Sequence, residues 1–170
     1  MFTRVCCLLC VAALSVFTHP DQVTTLGGQV GFDIPVLRFL SLGGEARFGT
    51  FNTETFADND VDRSKLIDLD FKPRLTLPLR HSPIELYFTV PVGLTIPILA
   101  DDFGGDDGID GKLGWNLGIG AGINFWITRS FALNLEPNYL MHWFDLDVPV
   151  GSGSVKLQQF TLFLNAVLKT

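Results

Sequence analysis

Few residues in this chain could do bond-making chemistry, and the order in which they fall argues against most of them. His81 and Ser82 are adjacent, as a base and its nucleophile would have to be in space. They lie between Leu79 and Ile84, where the pattern predicts a tight turn. There a serine hydroxyl is used to hold its own backbone. His142 shares a face with Glu136 and is expected to point inward, hydrogen-bonded to Glu136 or Glu85 rather than acting as a base. A serine–histidine–acid set would need a serine on the same rim, and Ser152 and Ser154 qualify only by nearness in sequence. No catalytic residue is assigned.

Metal chemistry has equally little support. Asp101-Asp102-Phe103-Gly104-Gly105-Asp106-Asp107-Gly108-Ile109-Asp110-Gly111 is rich in carboxylates, and Asp58, Asp60 and Asp62 alternate in a neighbouring stretch. Counted from Asp106, the closing Glu of a calcium loop would fall at Leu117, so the EF-hand pattern fails. Both runs read as solvated loops that share divalent cations non-specifically. Cys6, Cys7 and Cys10 meet no second ligand cluster, which leaves zinc without a site. No cofactor or metal is expected. A net charge of −6 and a pI near 4.8 also exclude nucleic acid as a partner.

What remains is a set of charges placed with a strict period. Glu45, Arg47, Asp68, Asp70, Lys72, Arg74, Glu85 and Glu136, with His142, all stand opposite bulky apolar residues. The elements that carry them alternate with period two, the strand signature. In Ile84–Leu99, Ile84, Leu86, Phe88, Val90, Val92, Leu94, Ile96 and Ile98 oppose Glu85, Tyr87, Thr89, Pro91, Gly93, Thr95 and Pro97. The same test gives strands over Ile67–Leu79, Leu113–Ile127 and Phe131–Trp143. Weaker alternation gives Val23–Ile34, Leu40–Phe48 and Val155–Lys169, seven strands in all.

Short links near Pro35–Phe39, Arg80–Pro83 and Thr128–Ser130 alternate with long polar ones at Asn52–Ser64, Ala100–Lys112 and Asp145–Ser154. Short turns at one end and long loops at the other predict an all-β, antiparallel up-and-down transmembrane barrel. Its apolar faces would meet lipid, and its charged faces a narrow lumen. In that lumen Arg47, Lys72 and Arg74 should pair with Glu45, Asp68, Asp70, Glu85 or Glu136, because unpaired buried charge is costly. Aromatic belts are expected from Phe48, Phe51, Trp115, Trp143 and Phe144 at the loop end and from Phe39, Phe125 and Phe131 at the turn end.

The composition agrees. The 170 residues are 47% hydrophobic and 18% charged, with a mean hydropathy of +0.32. That excludes disorder. No charge-free stretch exceeds the 16 residues of Val5–Pro20 and Leu113–Thr128, too short for a spanning helix of roughly 18 or more.

Residues 1–20 are read in two ways. Arg4 followed by the apolar run Val5–Phe17 resembles a secretory signal, and its cleavage would leave a chain without cysteine. Yet single-chain bacterial barrels have an even number of strands. The segment is therefore either a signal or a substitute first strand, the eighth of the intact fold, with residues 21–170 forming the barrel domain.

Gly114-Trp115-Asn116-Leu117-Gly118-Ile119-Gly120-Ala121-Gly122, then Phe125-Trp126-Ile127-Thr128, then Phe131-Ala132-Leu133-Asn134-Leu135-Glu136 with Tyr139 resembles the late hairpin of the small outer-membrane β-barrel superfamily, OmpA/OmpX-type and opacity-like. The chain departs from that family by ending Val167-Leu168-Lys169-Thr170 without a terminal aromatic. The resemblance implies a bacterial outer-membrane location, contact with outer-membrane lipid and lipopolysaccharide, and passage through the barrel-insertion machinery. The function expected is non-enzymatic: a structural, surface-interaction or small-pore barrel with a charged, narrow lumen. The alternatives are a lipid-modifying barrel enzyme and a soluble periplasmic ligand-binding β-barrel.

Overall fold

Period-two alternation of Leu, Ile and Phe with Gly, Asn, Thr and charged residues forces an extended backbone, and ladders between neighbours satisfy its polar groups. The computed structural model describes residues 6–17, 24–54, 61–79, 82–98, 110–148 and 151–169. They form eight transmembrane strands: β1 (Cys6–Phe17), β2 (Thr24–Pro35), β3 (Leu40–Glu54), β4 (Val61–Pro78), β5 (Ile84–Thr89 and Val92–Ile98), β6 (Asp110–Gly111 and Gly114–Trp126), β7 (Phe131–Val148) and β8 (Gly151–Lys169). β5 is one strand in two pieces, because Pro91 has no N–H to give the ladder.

Every strand is antiparallel to its sequence neighbours, and β1 closes the barrel. Cys6 to Phe17 run against Lys169 to Gln159 of β8, while Cys6 to Val16 run against Asp33 to Thr24 of β2. A closed sheet has no edge, which removes the unpaired N–H and C=O groups that lipid cannot solvate. Cys6 and Lys169 lie with the short connections, here the turn end; the opposite end is the loop end.

Two of the short turns are tied by their own residues. Thr128 Oγ1 accepts from the backbone N–H of Ser130 at 3.2 Å and of Phe131 at 3.0 Å. Ser82 Oγ accepts from Ile84 N at 3.1 Å, so its hydroxyl serves the turn. His81, His19, Asp58, Asp60 and the acidic run from Asp101 to Ile109 lie outside the described residues.

The burial pattern is inside out relative to a soluble barrel. Leu69 is 48% exposed, Ile119 55% and Leu164 54%, whereas Glu136 and His142 are fully enclosed. The outward row on β6 is Trp115, Leu117, Ile119, Ala121, Ile123 and Phe125, and the inward row is Gly, Asn or Gly at each alternate position. Twelve residues at roughly 3.3 Å each, tilted about 45°, carry even the shortest strand across a thin outer membrane.

The long connections are shorter than the apolar pattern indicates. Asp145 to Val148 pair with Ser154 to Gly151, so the expected loop Asp145–Ser154 is mostly a hairpin. Asn52 to Glu54 likewise pair with Arg63 to Val61, and Asp110-Gly111 pairs with Asp147 and Leu146. Beyond the lipid both faces of a strand meet water, so alternation stops while the ladder goes on. Phe144 is a second correction. It is 5% exposed and points inward with Leu140 and His142, because even-numbered β7 residues face the lumen, so it belongs to no outer belt. Phe51 lies outside the described side chains.

Candidate functional site

The lumen holds the clustered charges. Register comes first: on β3 and β4, Glu45 stands opposite Asp70 and Arg47 opposite Asp68. Two carboxylates face to face repel, and the neighbouring cations relieve this. Arg47 contacts Asp70 through Nη2 and Glu45 through Nε at 3.3 Å. Lys72 Nζ reaches Glu45 Oε2 and Glu136 Oε1, each at 2.5 Å. Arg74 pairs with Asp33 at 2.6 Å and approaches Glu136 at 3.8 Å.

Glu136 is the hub. Besides Lys72 and Arg74 it accepts from Tyr87 OH and, at 3.0 Å, from Asn138 Nδ2. Glu136 stands on β7 and Lys72 on β4, three strands apart around the wall, so their contact runs across the lumen. Tyr87 crosses from β5 because Gly122 gives it room; a Cβ there would collide with the phenol ring. The Arg74 guanidinium lies 4.1 Å from that ring's centroid. An amide relay continues along the lumen from the hub towards the turn end. Asn134 donates to Tyr87 OH at 2.8 Å and to Asn124 at 2.7 Å, and Asn165 donates to Asn134 at 2.8 Å.

His142 meets neither Glu136 nor Glu85. Glu136 is six residues back along the same strand, roughly 20 Å away, and Glu85 is at the turn end. Instead His142 Nδ1 is 3.0 Å from Thr95 Oγ1 and 3.4 Å from Asp68, and Nε2 is 3.1 Å from Gln159 Oε1. Thr95 in turn donates to Asp68 at 2.7 Å. Glu85 accepts from Asn124 at 2.8 Å and is half-buried at the turn-end mouth.

Asp33 reads in sequence as a polar-face charge on a weakly alternating strand, but several other participants carried too little signal to be picked out. Tyr87, Thr95, Asn116 and Gln159 are polar-face residues whose charge gives no cue. The apolar inward residues Leu66, Leu140, Phe144 and Phe163, all at most 5% exposed, break the polar rule altogether. They stand on inward positions of β4, β7 and β8.

Among the described residues five enclosed carboxylates (Asp33, Glu45, Asp68, Asp70, Glu136) face three enclosed cations (Arg47, Lys72, Arg74), so the described part of the lumen is dense and acidic. At the turn end it widens into an open cavity of about 290 Å³ lined by Asp33, Arg38, Arg74, Glu85, Trp126 and Lys169, among others. Around Leu66, Leu140 and Phe163 the free space is about 10 Å³, room for a single water. Among the described residues no group of three His, Cys, Asp or Glu could hold a metal.

No protein-family model matches the sequence, and no curated protein matches it closely. Solved structures do share its fold. Neisserial surface protein A superposes with a TM-score of 0.72 at 12% identity, covering 98% of this chain and 96% of that one. Outer membrane protein W of E. coli gives 0.66 at 13% identity over 99% and 98%. The attachment invasion locus protein of Yersinia pestis gives 0.61 at 15% identity over the whole of both chains. The chain therefore has the fold of the small eight-stranded outer-membrane β-barrels.

Proposed function

We infer that this chain is a closed, non-enzymatic β-barrel of the bacterial outer membrane whose work is done by its wall and surface loops. The carrying observation is the contact of Lys72 with Glu136 across the lumen, reinforced by Tyr87 and Arg74 from the turn-end side and by Leu66, Leu140 and Phe163 towards the loop end. An eight-stranded barrel encloses just enough space for side chains, and here charged and apolar groups take it up. A lipid location is supported by the outward Leu, Ile, Val and Phe, which water would not tolerate over so large an area.

An enzymatic reading finds less support. His142 is sealed inside the barrel, its ring nitrogens directed at Thr95, Asp68 and Gln159. A lipid ester in the membrane would be on the other side of the wall. The related Yersinia pestis barrel was solved with a heparin analogue, sucrose octasulfate. The acidic loops and the charge of −6 make a polyanion a poor match for this chain.

Recording from planar bilayers tests the reading. The wild-type protein is expected to leave the bilayer at its lipid-only baseline. Replacing Lys72 and Arg47 together with alanine is expected to admit small, cation-selective steps, since carboxylates then dominate the lumen. Resolved steps from the wild-type protein would overturn the closed state.

A further inference from the structure

The turn-end cavity differs from the rest of the lumen in the sign of its charge. Among the described residues the enclosed charges favour acids, five to three, whereas those lining the cavity favour cations. They are Arg38, Arg74 and Lys169 against Asp33 and Glu85. Arg74 and Asp33 satisfy each other at 2.6 Å, and the Arg74 guanidinium covers the Tyr87 ring. With the Glu136 hub behind them, these groups close the inner end. The cavity of about 290 Å³ is thus a blind pocket entered from the turn end.

Its walls are held by the backbone and by packing. In the link between β2 and β3, Leu37 N donates to Leu40 O at 2.9 Å, and Phe39 O accepts from Thr76 N at 2.8 Å. The link is thereby fixed against β4, with Leu37, Arg38 and Phe39 along the cavity. A turn in water calls for no large apolar side chains on either side of an arginine. Trp126 of β6 and Lys169 of β8 both stand on inward positions, and Lys169 Nζ lies 5.3 Å from the indole centroid. Trp126 packs from behind on Ala132 and Val167, both fully enclosed. Lys169 ends β8 and Arg38 follows β2, the strands that flank β1, so both cations lie on that side of the mouth. Glu85 stands on β5, across the barrel from β1, and is engaged by Asn124 at 2.8 Å.

Such a pocket fits one negative charge on a small apolar body. A carboxylate suits the ammonium of Lys169 and the guanidinium of Arg38, and a ring suits Trp126, Leu37 and Phe39. A neutral molecule of the same shape gains nothing from the two cations. We propose that the turn-end cavity is a binding site for a small apolar carboxylate, its charge held by Lys169 and Arg38 and its body by Trp126. The site rests on the closed barrel proposed above, since the Arg74–Asp33 pair and the Glu136 hub form its floor.

The test uses the full chain folded in zwitterionic detergent, with phenylacetate as the probe. Binding is read by NMR from the indole N–H signals, Trp126 being assigned from Trp126→Phe. Phenylacetate is expected to move the Trp126 signal saturably and to leave Trp115 and Trp143 still. Phenylacetamide, the same body without the charge, is expected to bind about tenfold more weakly. Lys169→Ala is expected to weaken phenylacetate about threefold, as for a half-exposed charge. Lys156→Ala, a cation on the outer wall, is expected to match the wild type. Lys169→Gln, which keeps the reach without the charge, takes the place of Lys169→Ala if that variant does not fold. Equal binding of acid and amide, equal binding by the Lys169 variant and the wild type, or a shift shared by all three tryptophans would overturn the site. Bilayer recording of the same preparation separates the two ideas. Conduction by the wild type removes the closed reading, while a closed barrel whose Trp126 ignores phenylacetate removes this site alone.

Discussion

Glu136 offers the sharpest test of how the barrel is held together. Its carboxylate takes Lys72 at 2.5 Å, Tyr87 OH and Asn138 at 3.0 Å, with nothing of it exposed. Glu136→Leu would leave Lys72 with Glu45 alone, and would strip Tyr87 and Asn138 of their acceptor. Breaking a buried pair by removing one partner costs about 3–5 kcal/mol, most of it the penalty of the charge left behind. With a urea dependence of about 1–3 kcal/mol per molar, the unfolding midpoint should fall by roughly 2 M. Lys72→Met should cost a similar amount. The double variant removes both charges and puts apolar volume in their place, so it should be no less stable than either single variant. The assay is urea unfolding in lipid vesicles, read by tryptophan fluorescence and by the folded band on unheated gels. A double variant destabilised by the full sum of the singles would show that the pair is not coupled and would refute the reasoning.

Three further outcomes follow from the same geometry. Gly122→Ala should cost about 1–3 kcal/mol by driving a methyl group into the Tyr87 ring, whereas Gly28→Ala, with open space at its Cβ, should be close to neutral; equal midpoints would remove the close-approach argument. Purified protein incubated with diacyl phospholipid should release no fatty acid, and release abolished by His142→Gln would reinstate the enzymatic alternative. Protein extracted from outer membranes should retain the Cys6–Phe17 segment by intact mass, because without β1 the ladders of β2 and β8 lie open; a mass lacking those residues would make the segment a removable leader.

The sequence carried the fold wherever lipid and lumen impose opposite demands on alternate residues. Leu94, Ile96 and Ile98 against Thr95 and Pro97, or Trp115 through Phe125 against Gly and Asn, left no other backbone possible. It was weak where only one demand acts. Cys6–Phe17 does not alternate, so only the parity of the strand count offered it as a strand, and its place between β2 and β8 comes from pairing. Asp145–Val148 reads as loop because water bathes both faces of the projecting hairpin. Within the lumen, sequence could say that Arg47, Lys72 and Arg74 share a face but not which acid each meets. That choice depends on which strands stand opposite one another, which is why Lys72 meets Glu136 and His142 meets Asp68.

The central claim is that one face of every strand meets lipid and the other a filled lumen. Spin labels placed singly at positions 115 to 125 of β6, with the protein in vesicles, test it directly through collisional access to dissolved oxygen. The account predicts high access at 115, 117, 119, 121, 123 and 125 and low access at the positions between, a clean period of two. Uniform access along the strand, or the opposite phase, would contradict it.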